Sequence, residues 1–340
     1  LLGFNGTVNA NVGNPTSTGL STSLNYRTGD VNVFNSTGLS DRLRVGDSYS
    51  YAEYYNGDEP NSFIRDNRNW ERDNQGLFSN TGLEWYLNDN TSITTSFLIN
   101  KSDGTSKNEN TTLELDSSNN ILNETFRLES ESGDNENKEF SLNFDKRFND
   151  AGHKLVIDMQ IGNNFDNENS ILTQNSLNFE QVTSNETNEN KLLKADYVLP
   201  IGENRQFEAG FKVEESDLYQ DYKVYSDQND GLILDPEQSN IFRYKEQVNA
   251  IYSQYGFKIE DKYSFLFGVR VEQTKKDIIQ ITTDELIKKD DTGLFPTFNF
   301  GFEISDDESI TLGYSRRLRR PWSRFINPFP TKNSPTSIFR

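Results

Sequence analysis

The chain has 340 residues, 33% hydrophobic and 12% aromatic, with a formal net charge of −19 and a mean hydropathy of −0.80. This charge disfavours non-specific binding to nucleic acid, because phosphates are repelled. No stretch approaches the roughly 20 apolar residues of a membrane-spanning helix, and the absence of cysteine excludes disulfides and thiolate metal sites.

The low hydrophobic fraction leaves two interpretations: extensive disorder, or apolar residues dispersed by regular alternation. The 24 Phe and 15 Tyr favour alternation, because disordered chains are poor in large aromatic residues. The chain starts at Leu1 without an initiator Met or a signal sequence, and stops at Arg340 after an unfinished strand pattern. We therefore expect residues 1–340 to be a fragment of one domain, lacking a processed N-terminal region and further strands beyond the C-terminus.

Apolar and polar residues alternate with a period of two along the whole chain, which predicts β-strands. In the first strand, for example, Phe4, Val8 and Val12 alternate with polar residues. The predicted strands are residues 4–12, 18–28, 31–40, 75–87, 91–101, 138–148, 153–164, 190–199, 205–215, 241–259, 262–273, 293–304 and 309–318. Each has one apolar face and one polar face.

The connections between these strands alternate in length from Asp30 onward. Short turns at 28–30, 88–90, 149–152, 200–204, 260–261 and 305–307 alternate with long polar loops at 41–74, 101–137, 167–190, 216–240 and 273–292. Residues 49–55 are assigned to a loop, since a spanning strand there would break the alternation. A soluble β-sandwich also has alternating strands, but it has no reason to place every long loop at one end. The pattern favours an outer-membrane barrel with tight periplasmic turns and longer extracellular loops.

The predicted fold is therefore an all-β, antiparallel up-and-down transmembrane β-barrel. About thirteen strands are present, and this odd number indicates part of a larger plugged barrel. The first strand then runs upward from the periplasm, where an internal plug would enter.

Residues 295–329 carry the sharpest motif. Phe295–Phe302 is followed by Tyr314-Ser315-Arg316-Arg317, then Arg320-Pro321 and Asn327-Pro328-Phe329. This series resembles the TonB-dependent receptor-like outer-membrane β-barrel family of Bacteroidota. The opening Gly3-Phe4-Asn5-Gly6 and Leu24–Gly29 similarly resemble its first barrel strands.

The resemblance implies a receptor or transporter of the outer membrane, with a plugged barrel of 22 strands. It implies that extracellular loops bind a solute, and that TonB drives import through the missing plug. The alternative is a non-transporting receptor or scaffold barrel in a surface complex, with a surface lipoprotein as a possible partner. No cofactor is expected, and the substrate is not readable from the sequence.

The basic group at the end of the last predicted strand is the best site candidate, and it consists of Arg316, Arg317, Arg319 and Arg320. By strand parity the lumen-facing arginines are Arg317, Arg319, Arg270 and Arg147. They could contact an anionic ligand or, as the favoured alternative, pair with acidic plug residues. Arg316 faces lipid, where it could meet lipopolysaccharide. Trp85 and Trp322 are expected at the membrane interface with the lipid.

Catalytic signals are weak, so we expect no enzyme activity. His153 is the only histidine and has no neighbouring nucleophile or metal pair. Acidic runs such as Asp166–Asn169 could bind calcium through oxygen ligands, but they lack the spacing of a calcium loop and are better interpreted as solvated loops. An outer-membrane hydrolase would need a catalytic constellation that this stretch lacks.

Overall fold

A computed structural model of the chain describes residues 3–57, 59–227, 231–260, 262–305, 307–321, 326, 331–334 and 337–339. Within these residues every regular element is a β-strand, and no helix is long and apolar enough to cross a membrane. The predicted all-β class is confirmed.

Sixteen strands are numbered in chain order. They are β1 (Gly3–Gly13), β2 (Ser17–Thr28), β3 (Val31–Asn56), β4 (Glu59–Asn88), β5 (Thr91–Asp116), β6 (Ile121–Arg147), β7 (Lys154–Gln174), β8 (Leu177–Pro200), β9 (Arg205–Asp227), β10 (Leu232–Leu234), β11 (Asn240–Ile259), β12 (Tyr263–Gln280), β13 (Glu285–Ser305), β14 (Glu308–Ser315), β15 (Thr331–Ser334) and β16 (Ser337–Phe339).

The main sheet is antiparallel and follows the chain order. Its hydrogen-bonded path runs through β1–β9 and β11–β14, β10 pairs with β9 as a fourteenth strand, and β15 and β16 form a separate pair. The thirteen-strand path agrees with the predicted number and up-and-down order. Among the described residues no pairing joins β14 to β1, so the sheet is open.

Short turns connect the strands at one edge of the sheet, as predicted. Gly29 and Asp30 connect β2 to β3, and Gly29 has a φ of 53°, in the left-handed region that glycine adopts at little cost. Similar short connections lie at 89–90, 148–153, 201–204, 260–262 and 306–307.

The prediction of five long loops is wrong, because most of these residues lie in strands. Residues 41–74 complete β3 and β4, which stay paired from Val31 and Trp85 to Asn56 and Glu59, so residues 49–55 are strand as well. The segments 101–137, 167–190, 216–240 and 273–292 likewise extend β5–β6, β7–β8, β9–β11 and β12–β13. Apart from a patch on β9, β11 and β12, both faces of these extensions are mostly polar, so the alternation of hydropathy weakens although the backbone ladder continues.

The register assigns every strand the same two faces, which we call the apolar face and the polar face. Near the short turns the apolar face carries a predominantly apolar band, the apolar band, with polar residues such as Asn35, Thr81 and Ser253 within it. It includes Tyr263, Phe265, Phe267, Val269 and Val271 of β12, Leu294, Pro296, Phe298, Phe300 and Phe302 of β13, and Phe207, Ala209, Phe211 and Val213 of β9. Nine residues at about 3.3 Å each, tilted by about 40°, make the band roughly 20 Å high.

The apolar band is exposed. Phe267 is 48% accessible and Leu312 of β14 is 62% accessible. Among the described residues every substantial contact joins strands that are adjacent or nearly adjacent in the main sheet, or the pair β15 and β16. No second sheet therefore packs against the main sheet in this part of the chain, which removes the β-sandwich alternative. A continuous apolar surface of this size requires a cover other than water.

Candidate functional site on the polar face

The polar face of β11 and β12 carries a group of charged side chains beside the upper edge of the apolar band. Arg270 shares this face with Tyr252 and Phe295, its register partners. The parity argument therefore placed Arg270 on the correct face. Its guanidinium donates to Glu272 at 2.9 Å through Nε and 2.6 Å through Nη2, and its Cζ lies 5.4 Å from the centre of the Tyr252 ring.

Glu272 holds two arginines. Arg320 comes from the segment that follows β14, and it forms an ion pair with Glu272 and donates to Oγ1 of Thr274 at 3.1 Å. The side chain of Glu272 is only 8% exposed, whereas those of Arg270 and Arg320 are 31% and 25% exposed. The two guanidiniums compensate the hydration that this carboxylate loses on burial.

Glu246 extends the group along β11. Lys276 lies 3.3 Å from its Oε2, Nε of Arg320 lies 3.9 Å away, and the hydroxyl of Tyr244 donates to it at 2.8 Å. Burial and this hydrogen bond raise the pKa of Tyr244, so the phenol stays protonated as a donor. We call Arg270, Glu272, Glu246, Lys276 and Arg320 the inner charged cluster.

An apolar patch borders the inner charged cluster on the same face. It consists of Leu218, Phe242, Tyr244 and Ile278, and Ile326 from the segment after β14 packs against it. Apolar residues are unexpected on an otherwise polar face. The segment that supplies Arg320 and Ile326 thus contacts the inner wall by an ion pair and by apolar packing.

The sequence places Arg320 in the candidate basic group without assigning it to a face, and it does not identify the apolar patch. The sequence of β11 does carry a signal for the patch, because its apolar residues fall on both faces of the strand. Phe242 and Val248 lie on one face, and Ile241 and Ile251 lie on the other. The position of Arg320 had no such signal, because strand parity stops at Ser315, where β14 ends.

The other arginines singled out from the sequence do not join the inner charged cluster. Arg317 and Arg319 lie after β14 with exposed side chains. Arg147 lies at the turn end of β6, 69% exposed and 3.7 Å from Asp145. Arg316 donates its backbone N–H to Pro296 at 3.1 Å and lies 5.9 Å from the centre of the Phe295 ring, which belongs to the polar face. The roles of these arginines remain predictions.

Of the two tryptophans predicted at the membrane interface, the structure describes Trp85. Trp85 lies on the apolar face of β4, 48% exposed, near the short-turn edge. Trp322 lies outside the described residues. His153 stacks on Phe148 at 4.4 Å, and its Nε2 lies 2.8 Å from the hydroxyl of Tyr197. His153 is therefore part of an aromatic group at the short-turn edge.

A row of carboxyls lines the polar face farther from the apolar band, on β6, β7 and β8. Burial, reinforced by neighbouring carboxylates, raises the pKa of Glu131, Glu168 and Glu186. The run Asp166–Asn169 is strand, so its side chains alternate between the two faces. Among the described residues no group of three or more acidic or histidine side chains is arranged to hold a metal ion.

Comparison with known proteins gives one family. The sequence model of the outer membrane protein beta-barrel family matches residues 146–340. No curated protein matches the chain.

Solved structures give weak likenesses. The outer membrane protease OmpT from Escherichia coli is 11% identical over 84% of this chain and 96% of that chain, with a TM-score of 0.27. The ferric yersiniabactin uptake receptor FyuA from Yersinia pestis is 9% identical over 92% of this chain and 61% of that chain, with a TM-score of 0.32. The alcaligin outer membrane receptor FauA from Bordetella pertussis is 10% identical over 93% and 74%, with a TM-score of 0.20. TM-scores this low carry no argument about function.

Proposed function

Because the chain belongs to the outer membrane protein beta-barrel family, we propose that it forms part of the wall of a TonB-dependent receptor of the Bacteroidota type. In this proposal the extended hairpins bind a solute outside the cell, and the solute is imported through a plugged lumen. The outer membrane location itself follows from the family.

One observation supports the proposal most. The sheet is apolar on one face only across the apolar band, and it continues beyond this band as paired hairpins. The longest strand, β4, has 30 residues in all, including its part in the band. At about 3.3 Å per residue β4 is roughly 100 Å long, several times the height of the band. Hairpins of this length supply a large rigid surface outside the membrane.

The polar face supports a filled interior rather than a hydrocarbon contact. Level with the apolar band it carries Arg270 and, in the same row, Asp196, and charged side chains facing lipid at this depth would be costly. Glu272 and Glu246 are held in place by their ion pairs. Charged residues of a plug inside the barrel would therefore meet charges at fixed positions on this face. The arginines Arg317 and Arg319, exposed after β14, remain candidates for that contact.

We propose that the protein acts without catalysis, needs no cofactor, and has TonB as its partner through a plug. A surface lipoprotein is a further possible partner. The test uses the full-length receptor in its own cells. Depletion of solutes from defined medium is followed by mass spectrometry in the wild type, a strain lacking this receptor and a strain lacking TonB.

The expected result is that the wild type depletes one solute, and that the same solute stays in the medium of both deletion strains. Uptake that depends on the receptor but is unchanged without TonB would refute the energy coupling. Uptake unchanged in both strains, together with a stable co-purifying partner, would favour the scaffold alternative.

A further inference from the structure

Two rows of charged residues cross the apolar face directly above the apolar band, on β8, β9, β11, β12 and β13. The lower row, in register, is Lys191, Glu215, Gln247, Lys275 and Asp290. The upper row runs from Glu189 on β8 to Lys288 on β13, and all five of its positions are charged. On β8 and β9 the change from apolar to charged is abrupt, since Lys191 neighbours Leu193 and Glu215 neighbours Val213 on this face. On β11, β12 and β13 one polar row, Asn249, Gln273 and Thr292, lies between the band and the lower row.

Both lysines of the upper row, Lys245 and Lys288, are already paired. Asp217 accepts from Arg243 at 2.7 Å and lies 3.3 Å from Lys245, while Lys288 lies 3.9 Å from Asp277. In contrast, Lys191 and Lys275 are exposed, and neither lies within 4.0 Å of a carboxylate oxygen of the described residues. The lower row therefore presents two ammonium groups that are free to bind an anion.

The two lysines line one shallow groove of about 720 Å³ together with Lys245 and Lys288, and carboxylates outnumber lysines in its lining. Three strand spacings separate β8 from β12 along the sheet, so the backbones of Lys191 and Lys275 lie about 14 Å apart. This spacing is too large for one small anion to bridge the two. It suits a headgroup that carries more than one anionic group.

We propose that this groove binds the phosphates of the phosphorylated glycolipid of the outer leaflet, lipopolysaccharide, with Lys191 and Lys275 each contacting a phosphate. The groove begins where the apolar band ends, so a lipid whose chains cover the band has its headgroup at this level. It lies on the side of the long hairpins, which is the extracellular side in barrels of this class. Lysine is a common phosphate ligand.

The carboxylates in the same row make the binding depend on divalent cations. Glu215 and Asp290 flank the two lysines and accept hydrogen bonds from amide groups, Glu215 at 3.4 Å from Gln247 and Asp290 at 3.0 Å from Gln273. Carboxylates at these positions repel phosphate. A Mg²⁺ or Ca²⁺ ion shared between a carboxylate and a phosphate removes this repulsion, because both ions take oxygen ligands of this kind.

The test measures the affinity of the full-length protein in detergent for purified lipopolysaccharide without O-antigen, with Mg²⁺ present. The double variant K191Q/K275Q should bind about thirty-fold more weakly, since each lysine near an anionic lipid surface contributes about a factor of five. The matched control is K107Q/K223Q. Both control lysines lie on the same face far above the band, paired with Glu109 at 2.7 Å and Asp221 at 2.6 Å, and their removal should leave the affinity unchanged.

Further arms identify the ligand. Dephosphorylated glycolipid and chelation of divalent cations should each weaken wild-type binding, and vesicles of phosphatidylglycerol or free inorganic phosphate should bind poorly. Equal affinity of K191Q/K275Q and wild type would overturn the site, as would equal binding of the dephosphorylated glycolipid. Equal binding of phosphatidylglycerol would overturn the assignment to the glycolipid. Unfolding midpoints of both double variants verify that folding is intact.

Discussion

Phe267 lies at the centre of the apolar band on β12, so it is the position most sensitive to hydrocarbon. Its ring contacts Phe298 at 5.1 Å between centroids. Replacing it by arginine places a charge near the bilayer midplane, which costs about 2–4 kcal/mol on the lipid face of such barrels. Loss of the aromatic contact adds about 1 kcal/mol. We therefore expect Phe267→Arg to lose about 3–5 kcal/mol, a factor of at least 100 in the folding equilibrium.

Two controls separate lipid contact from general damage. Val271→Arg lies at the upper edge of the band and should cost about 0–1 kcal/mol beyond the lost side chain, because the penalty falls toward the interface. Leu266→Arg lies next to Phe267 in sequence but on the polar face, and should cost less than Phe267→Arg. The assay is reversible urea unfolding of the full-length protein from lipid vesicles. A Leu266→Arg variant as destabilised as Phe267→Arg would refute the assignment of the faces.

Three further predictions concern the polar face. Glu272→Gln leaves two guanidiniums without their carboxylate and should cost about 2–3 kcal/mol in urea unfolding, with Arg320→Gln in the same chain recovering part of the loss. Burial raises the pKa of Glu168 in the folded protein above its value in the unfolded chain. The stability that goes with the protonated carboxyl is therefore fully present below the unfolded pKa and is lost as the pH rises through the folded pKa. In urea unfolding Glu168→Gln should stabilise the protein at pH 8 and have no effect at pH 4. At Gly210 an added Cβ would lie 2.6 Å from the Tyr252 ring, so Gly210→Ala should cost about 1–3 kcal/mol by overpacking, and the same change at the tip residue Gly231 should not involve a packing clash.

The strands near the short turns could be predicted because their two faces differ in hydropathy. In β12 the residues from Tyr263 to Val271 alternate with polar residues, and one face must meet hydrocarbon while the other does not. The short turns also carry their own signals, such as Gly29 followed by Asp30.

The extensions of the strands could not be predicted in this way. Outside the membrane both faces of a hairpin are wetted, so a sequence such as residues 41–74 has the composition of a loop although its backbone groups stay paired. Residues 49–55, assigned to a loop from the sequence, are strand within β3. Polar composition indicates solvent exposure and gives no information on backbone pairing.

The candidate site was predictable only where strand parity applies. Arg270 follows the alternation of β12 and lies on the expected face. Arg320 follows β14 in an irregular segment, and its position beside Glu272 depends on how that segment returns to the wall. Glu272 and Glu246 look like ordinary polar strand residues in the sequence, and only the register brings them together.

The central claim is that the apolar face of the sheet contacts lipid and the polar face does not. The chain contains no cysteine, so single cysteines at each position from 263 to 272 can carry a nitroxide label in the full-length protein, reconstituted in bilayers. Accessibility to dissolved oxygen, measured by electron paramagnetic resonance, should alternate with a period of two. High values are expected at 263, 265, 267, 269 and 271 and low values between them. A flat profile, or one in the opposite phase, would contradict the account.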